Sequence, residues 1–177
     1  MSTVILDPQP VEIQALIERR KRLGQDRRDE MWKGVLHMSP SPSRRHSELV
    51  ARLLVLIDPL ARAAGLTPSA DFNLGDSKDD FRVPDGGLHR PGGPDMWLPT
   101  AALAVEIVSP GDESWEKLPF YAAHHVQELL IVDPATRKID WLGLDEQTGE
   151  YRAMERSGLI DLGVSDLARR IDWPPAE

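Results

Sequence analysis

The sequence predicts an α/β (α+β) domain in which a mixed β-sheet is flanked by helices. One observation is a long helical pattern of apolar residues, followed by several short strand-like stretches with a second helix among them. Another is the length of 177 residues with 41% hydrophobic residues, which suits one domain with one core. We expect residues 1–29 to form an N-terminal helix and loop, and residues 30–177 to form the main domain of one globular unit.

The N-terminal part is predicted to contain one helix, a loop and a short strand. Residues 9–22 carry apolar residues at helical spacing, whereas residues 23–30 are mostly charged and favour a loop. Residues 35–38 favour a strand, and the alternating serines and prolines that follow them favour a turn.

A second helix is predicted to follow Ser43, whose side chain can cap its first turn. We expect Pro59 to kink or restart this helix, with Asp58 as the new cap, and Gly65 to end it. Its apolar residues recur at helical spacing: Leu49, Val50, Leu53, Leu54, Leu56 and Ile57.

The second half of the chain is predicted to be mainly strands. A short helix around residues 114–125 separates the third strand from the fourth, and residues 164–170 favour a last helical turn. The strand-like stretches are residues 66–70, 81–90, 103–108, 129–132 and 138–142.

Composition excludes several classes of function. The chain has no cysteine, which excludes disulfides, thiolate metal ligands and thiol catalysis. Its longest apolar run, around residues 53–57, is too short to span a bilayer, and no signal-peptide pattern is found, so we expect a cytoplasmic protein. The net charge of −8 argues against a nonspecific nucleic-acid-binding protein. It does not exclude a nuclease, because metal ions neutralise local carboxylates.

Glu106 lies in an apolar strand-like run, and a buried carboxylate is costly unless it is paired or bound to a cation. Alternation places Glu106 on the face opposite to Val105 and Ile107. A hairpin turning near residues 95–96 would place Asp85 directly opposite Glu106. Two carboxylates at that separation repel unless they share a proton or a cation such as Mg²⁺.

Other aspartates and a lysine leave alternatives open. Asp95 also follows a proline, but its position at the loop tip is typical of a turn residue. The alternative for Asp85 is the same: an aspartate that shapes a turn and binds no metal. Lys117 follows a turn, and Asp112 or Ser114 can cap the helix that carries it. It is either an exposed lysine or one that returns over the strand end to hold a phosphate or a water.

The ordered set of these residues resembles the Uma-two family of restriction endonucleases, which belongs to the PD-(D/E)XK nuclease superfamily. The resemblance covers roughly residues 30–142 and implies a restriction-endonuclease-like core. The residues that carry it are MSPSPSRRH at 38–46, Pro84-Asp85, VEIVSP at 105–110, Lys117, Tyr121 and VQELLIVDP at 126–134.

The resemblance also implies a catalytic site that uses Mg²⁺ (or Mn²⁺). Asp85, Glu106 and the backbone carbonyl of Ile107 would bind the metal, and Lys117 would orient the attacking water or stabilise charge on the phosphate. The superfamily lysine normally lies two residues after the glutamate, where this chain has Val108. Further departures from the family pattern are His125, Lys33 and Val35.

Three other residues are candidates for accessory roles. His46 lies on the apolar side of the second helix and matches a family histidine, so it is either a hydrogen-bonded core residue or part of the site. Glu48 lies on the opposite face, which favours a surface ion pair with Arg44 or Arg52. Tyr121 matches the family and is expected in the core or in the wall of the site.

Two functions remain open at this point. The first is a metal-dependent endonuclease acting on DNA, for which a homodimer would suit the cleavage of both strands. The second is a catalytically inactive nuclease-fold protein that serves as a binding or regulatory module, which the acidic net charge favours.

Overall fold

The computed structural model describes residues 3–5, 11–111 and 113–174, and within them the strands form two six-stranded mixed sheets. Sheet 1 has the order β1-β3-β2-β6-β5-β8. Its strands are β1 (Thr3–Ile5), β2 (Glu30–Trp32), β3 (Val35–Met38), β5 (Asn73–Ser77), β6 (Asp80–Arg82) and β8 (Trp97–Leu98). Sheet 2 has the order β12-β11-β10-β9-β7-β4. Its strands are β4 (Thr67–Ala70), β7 (Gly86–His89), β9 (Leu103–Ile107), β10 (Glu128–Asp133), β11 (Lys138–Asp145) and β12 (Glu150–Ala153).

The helices lie between and after the strands, as predicted. They are α1 (Val11–Arg22), α2 (Arg44–Ala63), a 3-10 helix (Ser114–Lys117) that leads into α3 (Leu118–Ala123), and α4 (Val164–Arg170). Helix α3 begins at Leu118, and Pro119 lies in its first turn, where the missing N–H interrupts no helical hydrogen bond. Asp112, proposed as a cap for this region, lies outside the described residues. None of the described helices is long and apolar enough to cross a lipid bilayer.

Helix α2 begins where the sequence predicts, because the Ser43 hydroxyl accepts a hydrogen bond from the His46 N–H at 3.2 Å. The prediction that Pro59 restarts the helix is wrong, since α2 runs through it without a break. Pro59 has no N–H and leaves the Val55 carbonyl without its helical partner, on a part of α2 where both Val55 and Pro59 are exposed. Asp58 pairs with Arg62 instead of capping a new helix, with 2.9 Å between Oδ1 and Nε.

The central strand β9 confirms the predicted alternation. Leu103, Val105 and Ile107 pack in the cluster that contains the buried face of α2. Ala104 packs in the second cluster with Tyr121 of α3, and Glu106 shares that side of the strand. Because β9 lies between β7 and β10, its residues are enclosed on both edges and on both faces.

The predicted strand over residues 81–90 is two strands in different sheets. The chain leaves sheet 1 after β6, passes through Val83, Pro84 and Asp85, and enters sheet 2 as β7. Pro84 has no N–H to offer a strand partner, and the Val83 N–H is bound by a side chain, so the ladder is interrupted here. The crossing places Asp85 at the junction of the two sheets.

Two further expectations near the site need correction. Glu30, assigned to a loop over residues 23–30, is the first residue of β2. The turn near residues 95–96 is a longer connection that contains β8, which pairs with β5 rather than closing a tight hairpin. The register is nevertheless the expected one, because Gly86 lies opposite Val105, one position from the predicted pair of Asp85 and Glu106.

Candidate active site

A cleft of about 390 Å³ opens where the chain crosses from sheet 1 to sheet 2. Its side chains come from β2 and the segment before it, from the crossing, from the end of β9, from the first turn of α2 and from the 3-10 helix. The charged and polar residues that line it include Arg28, Glu30, His46, Asp85, Glu106 and Lys117.

Asp85 is 6% exposed and has donors on both carboxylate oxygens. The Ile107 N–H donates to Oδ2 at 2.8 Å, while the Arg28 guanidinium and His46 Nε2 both contact Oδ1, the latter at 2.8 Å. Burial opposes ionisation, but the hydrogen bond and charge of His46, the charge of Arg28 and the Ile107 N–H together lower the pKa of Asp85. Asp85 is therefore a carboxylate at neutral pH.

Glu106 is 4% exposed and has a different environment. The Tyr121 hydroxyl donates to its Oε1, and Lys117 Nζ lies 3.1 Å from the same atom. Burial raises the pKa of Glu106 to about 7, with Asp85 and Glu30 adding to the rise and Lys117 and Tyr121 opposing it. Oε2 of Glu106 accepts no hydrogen bond from the described residues, and Glu106 lines the cleft, so this oxygen is available to a ligand.

Lys117 lies next to Glu106 near the end of β9, in agreement with the second of the two interpretations of the sequence, and it is not an exposed lysine. The 3-10 helix turns its side chain inward, where it is only 11% exposed. Burial disfavours its charge, but the carboxylates of Glu106 and Glu30 outweigh this and raise the pKa of Lys117. Burial and the same carboxylates also raise the pKa of Tyr121, so its hydroxyl remains a hydrogen-bond donor.

Sequence reasoning missed Glu30 and Arg28. Glu30 Oε1 lies 2.8 Å from Lys117 Nζ, closer than Glu106 does. Arg28 bridges Asp85 and Asp71, with 2.9 Å between Nη2 and Asp71 Oδ1. The available signal was the change from charged residues to Met31-Trp32 directly after Glu30, which indicates the start of a buried strand.

The accessory candidates are placed as follows. His46 lies in the cleft, where Nε2 contacts Asp85 and Nδ1 lies 3.3 Å from the Ser109 hydroxyl. Tyr121 is fully buried and contacts Glu106. Glu48 lies away from the cleft lining and pairs with Arg44 at 3.1 Å, in agreement with the surface ion pair.

The oxygen atoms at the cleft fit a hard divalent cation. Asp85 and Glu106 supply carboxylates, and the Ile107 carbonyl points to the same strand edge as its N–H, which contacts Asp85. Within the described residues no three His, Asp or Glu side chains are arranged to hold a metal by themselves. Such a set is not required, because Mg²⁺ is commonly held by one or two carboxylates plus substrate phosphates. A cation at Asp85 could use the second lone pair of Oδ2, which accepts one hydrogen bond from the Ile107 N–H, or replace one of the two donors that contact Oδ1.

Comparisons with known proteins agree with the fold and with the earlier resemblance. The model of the Uma2 family, described as "Putative restriction endonuclease", matches residues 12–166. A crystal structure described as that of a "putative nuclease belonging to DUF820", from Anabaena variabilis ATCC 29413, is similar with a TM-score of 0.64 at 15% sequence identity. The similarity covers 81% of this chain and 90% of that one, and it shows a shared fold. No curated protein matches the chain.

Proposed function

The chain belongs to the Uma2 family, and we propose that it is a nuclease that hydrolyses DNA phosphodiester bonds with the help of Mg²⁺ or Mn²⁺. The observation that carries this proposal is the convergence of Asp85, Glu106 and Lys117 on one cleft. The three residues come from the sheet crossing, from β9 and from the 3-10 helix. Burying charges is costly, and buried charges that converge on a cleft are typical of functional sites.

The residues that would hold the metal are Asp85, Glu106 and the carbonyl of Ile107. When bound, a divalent ion lowers the pKa of a bound water and offsets negative charge on the phosphate. Asp85 is ionised and fixed by the Ile107 N–H, so its position is set before any ligand arrives. Tyr121 fixes Oε1 of Glu106, which leaves Oε2 as the oxygen that accepts no hydrogen bond from the described residues.

Lys117 would act on the substrate. Its ammonium group has three donors, and the contacts to Glu106 and Glu30 leave one N–H to bind a phosphate oxygen or to orient water. Because the lysine is buried, its charge is less screened than that of a surface lysine. Arg28 and His46 both contact Asp85 and orient its carboxylate, and Arg28 adds a positive charge to the cleft lining.

A plasmid-nicking assay tests this function. Wild type should nick DNA only with Mg²⁺ or Mn²⁺, whereas Asp85→Asn, Glu106→Gln and Lys117→Met should each lose activity by about 100-fold or more. Glu48→Gln, which changes a carboxylate outside the cleft, is the matched control and should retain activity. Equal activity in all five proteins would indicate a contaminating nuclease and contradict the proposal.

A second candidate function is a nuclease-fold module that binds DNA without cutting it. The observation that favours it is the double engagement of Asp85 Oδ1 by Arg28 and His46, which opposes metal binding. In that case the wild type would bind DNA with an affinity unaffected by Mg²⁺, and no condition would produce nicking.

A further inference from the structure

Glu30 is a buried carboxylate that sequence patterns did not assign to the site. It is 4% exposed, begins strand β2 inside sheet 1 and lines the cleft. Its Oε1 accepts a hydrogen bond from the Val83 N–H at 2.8 Å and lies 2.8 Å from Lys117 Nζ. Oε1 of Glu30 therefore contacts both the backbone of the segment that leads to Asp85 and the side chain of Lys117.

The second oxygen of Glu30 is also occupied. Trp32 Nε1 donates to Oε2 at 2.7 Å. The indole is itself held in place, because the His37 ring stacks on it at 4.1 Å with an interplanar angle of 12°. The Arg82 guanidinium also lies over the Trp32 ring, 4.2 Å from its centroid. Glu30 is thus fixed by contacts on both oxygens.

Glu30 and Glu106 both contact the Lys117 ammonium, but their remaining contacts differ. Glu106 keeps one oxygen free of hydrogen bonds from the described residues, whereas both oxygens of Glu30 are engaged by donors. Glu106 therefore has one oxygen that a cation can approach without competition from a donor, whereas a cation at either oxygen of Glu30 would share that oxygen with a donor. A cation bound to Glu106 would also repel Lys117, because like charges in a buried site interact strongly.

We propose that Glu30 is a positioning residue, which holds the Lys117 ammonium at the cleft while Glu106 is bound to a cation. This inference rests on the proposed function, since it assigns separate roles to two carboxylates of the same site. Glu30 neutralises the lysine and fixes it relative to Asp85 through the shared contact with the Val83 N–H. Lys117 lies on a short 3-10 helix and not at the end of strand β9, where Val108 stands at the usual position of the lysine. The contact with Glu30 of sheet 1 therefore fixes its side chain in place.

Glu30→Gln tests this role, and the chain offers a closely matched control. Glu128 is also 4% exposed and also accepts from an indole, at 2.8 Å from Trp141 Nε1, but it lies outside the cleft lining. Glu30→Gln should lower kcat by about 10- to 100-fold, as loss of a supporting contact typically does, with Kd for Mn²⁺ of the same order as in the wild type. Glu128→Gln should leave kcat unchanged.

A second measurement does not depend on catalysis. Proton–nitrogen NMR of the lysine side chains detects ammonium groups that ion pairs protect from solvent exchange, and Lys117→Arg identifies the Lys117 signal. The signal should persist in Glu106→Gln and in wild type saturated with Mg²⁺, and it should disappear in Glu30→Gln. Trp32→Phe, which keeps a ring but removes the donor to Glu30, should weaken it and provides a milder variant if Glu30→Gln does not fold.

The outcomes separate this inference from the proposed function. Loss of Mn²⁺ binding in Glu30→Gln would make Glu30 a metal ligand and overturn its positioning role. Survival of the Lys117 signal in both Glu30→Gln and Trp32→Phe would overturn it as well. A wild type that neither binds metal nor cuts DNA would contradict the proposed function alone, because the comparison of Glu30→Gln with Glu106→Gln by NMR still decides which carboxylate holds the lysine.

Discussion

Glu106 is the residue whose ionisation ties the site to the stability of the fold. Burial, with the charges of Asp85 and Glu30, raises its pKa from 4.5 to about 7 against the opposing effects of Lys117 and Tyr121. Between these two values the folded protein binds more protons than the unfolded chain. Glu106 therefore stabilises the fold most below pH 4.5, and this contribution is lost as the pH rises through about 7.

Glu106→Gln should remove this pH dependence. Relative to the variant, the wild type should lose about 3 kcal/mol of unfolding free energy between about pH 4 and about pH 8, which follows from the size of the pKa shift. Urea denaturation of both proteins in the presence of a metal chelator measures the difference. Asp85 is present in both proteins, so its own titration contributes to both profiles and not to their difference. Parallel pH profiles would show that Glu106 is not held in the environment described.

The residues of the site could be predicted from sequence only in part. Glu106 stands out because a two-residue alternation places a charge in an apolar strand, and Asp85 follows from the hairpin register that places it opposite Glu106. Lys117 needed the family resemblance, since nothing local shows that a lysine eleven positions away returns to the strand. Glu30 and Arg28 were missed because their partners are distant in sequence: Lys117 for Glu30, and Asp85 for Arg28.

At the level of secondary structure, helix α2 shows how an apparent breaker can be tolerated. Pro59 is exposed and lies inside α2, and its cost is the missing hydrogen bond to the Val55 carbonyl on the solvent side. Pro59→Ala restores an N–H without a new contact in the core and should stabilise the protein by about 1–3 kcal/mol. Thermal unfolding of variant and wild type measures this. A lower Tm for the variant would mean that proline stabilises the fold more by restricting the unfolded chain than it costs the helix.

The strands divide into those with a local signal and those without one. Strands β9 and β10 were predicted because they are apolar and enclosed in sheet 2. Strands β5 and β8 are short, and β8 of two residues exists only because β5 pairs with it in parallel. Residues 81–90 looked like one strand because sequence does not show that β6 and β7 join different sheets. Long-range pairing decides these elements, and local pattern cannot supply it.

For the whole molecule, the cleft depends on the relative position of the two sheets. Glu30 belongs to sheet 1, Glu106 to sheet 2, and Asp85 to the segment that connects them. The net charge of −8 makes a divalent cation the simplest means by which such a protein can bind an anionic backbone. Metal binding should therefore precede or accompany DNA binding and should stabilise the folded protein by mass action.

Calorimetric titration with Mn²⁺ tests the central claim, that the cleft is a metal-dependent nuclease site. The wild type should bind the ion at the cleft, more tightly above about pH 7 than below it because protons compete for Glu106. Glu106→Gln and Asp85→Asn should abolish this binding, whereas Glu128→Gln should retain it. Identical binding in all four proteins, or no binding in the wild type, would contradict the account.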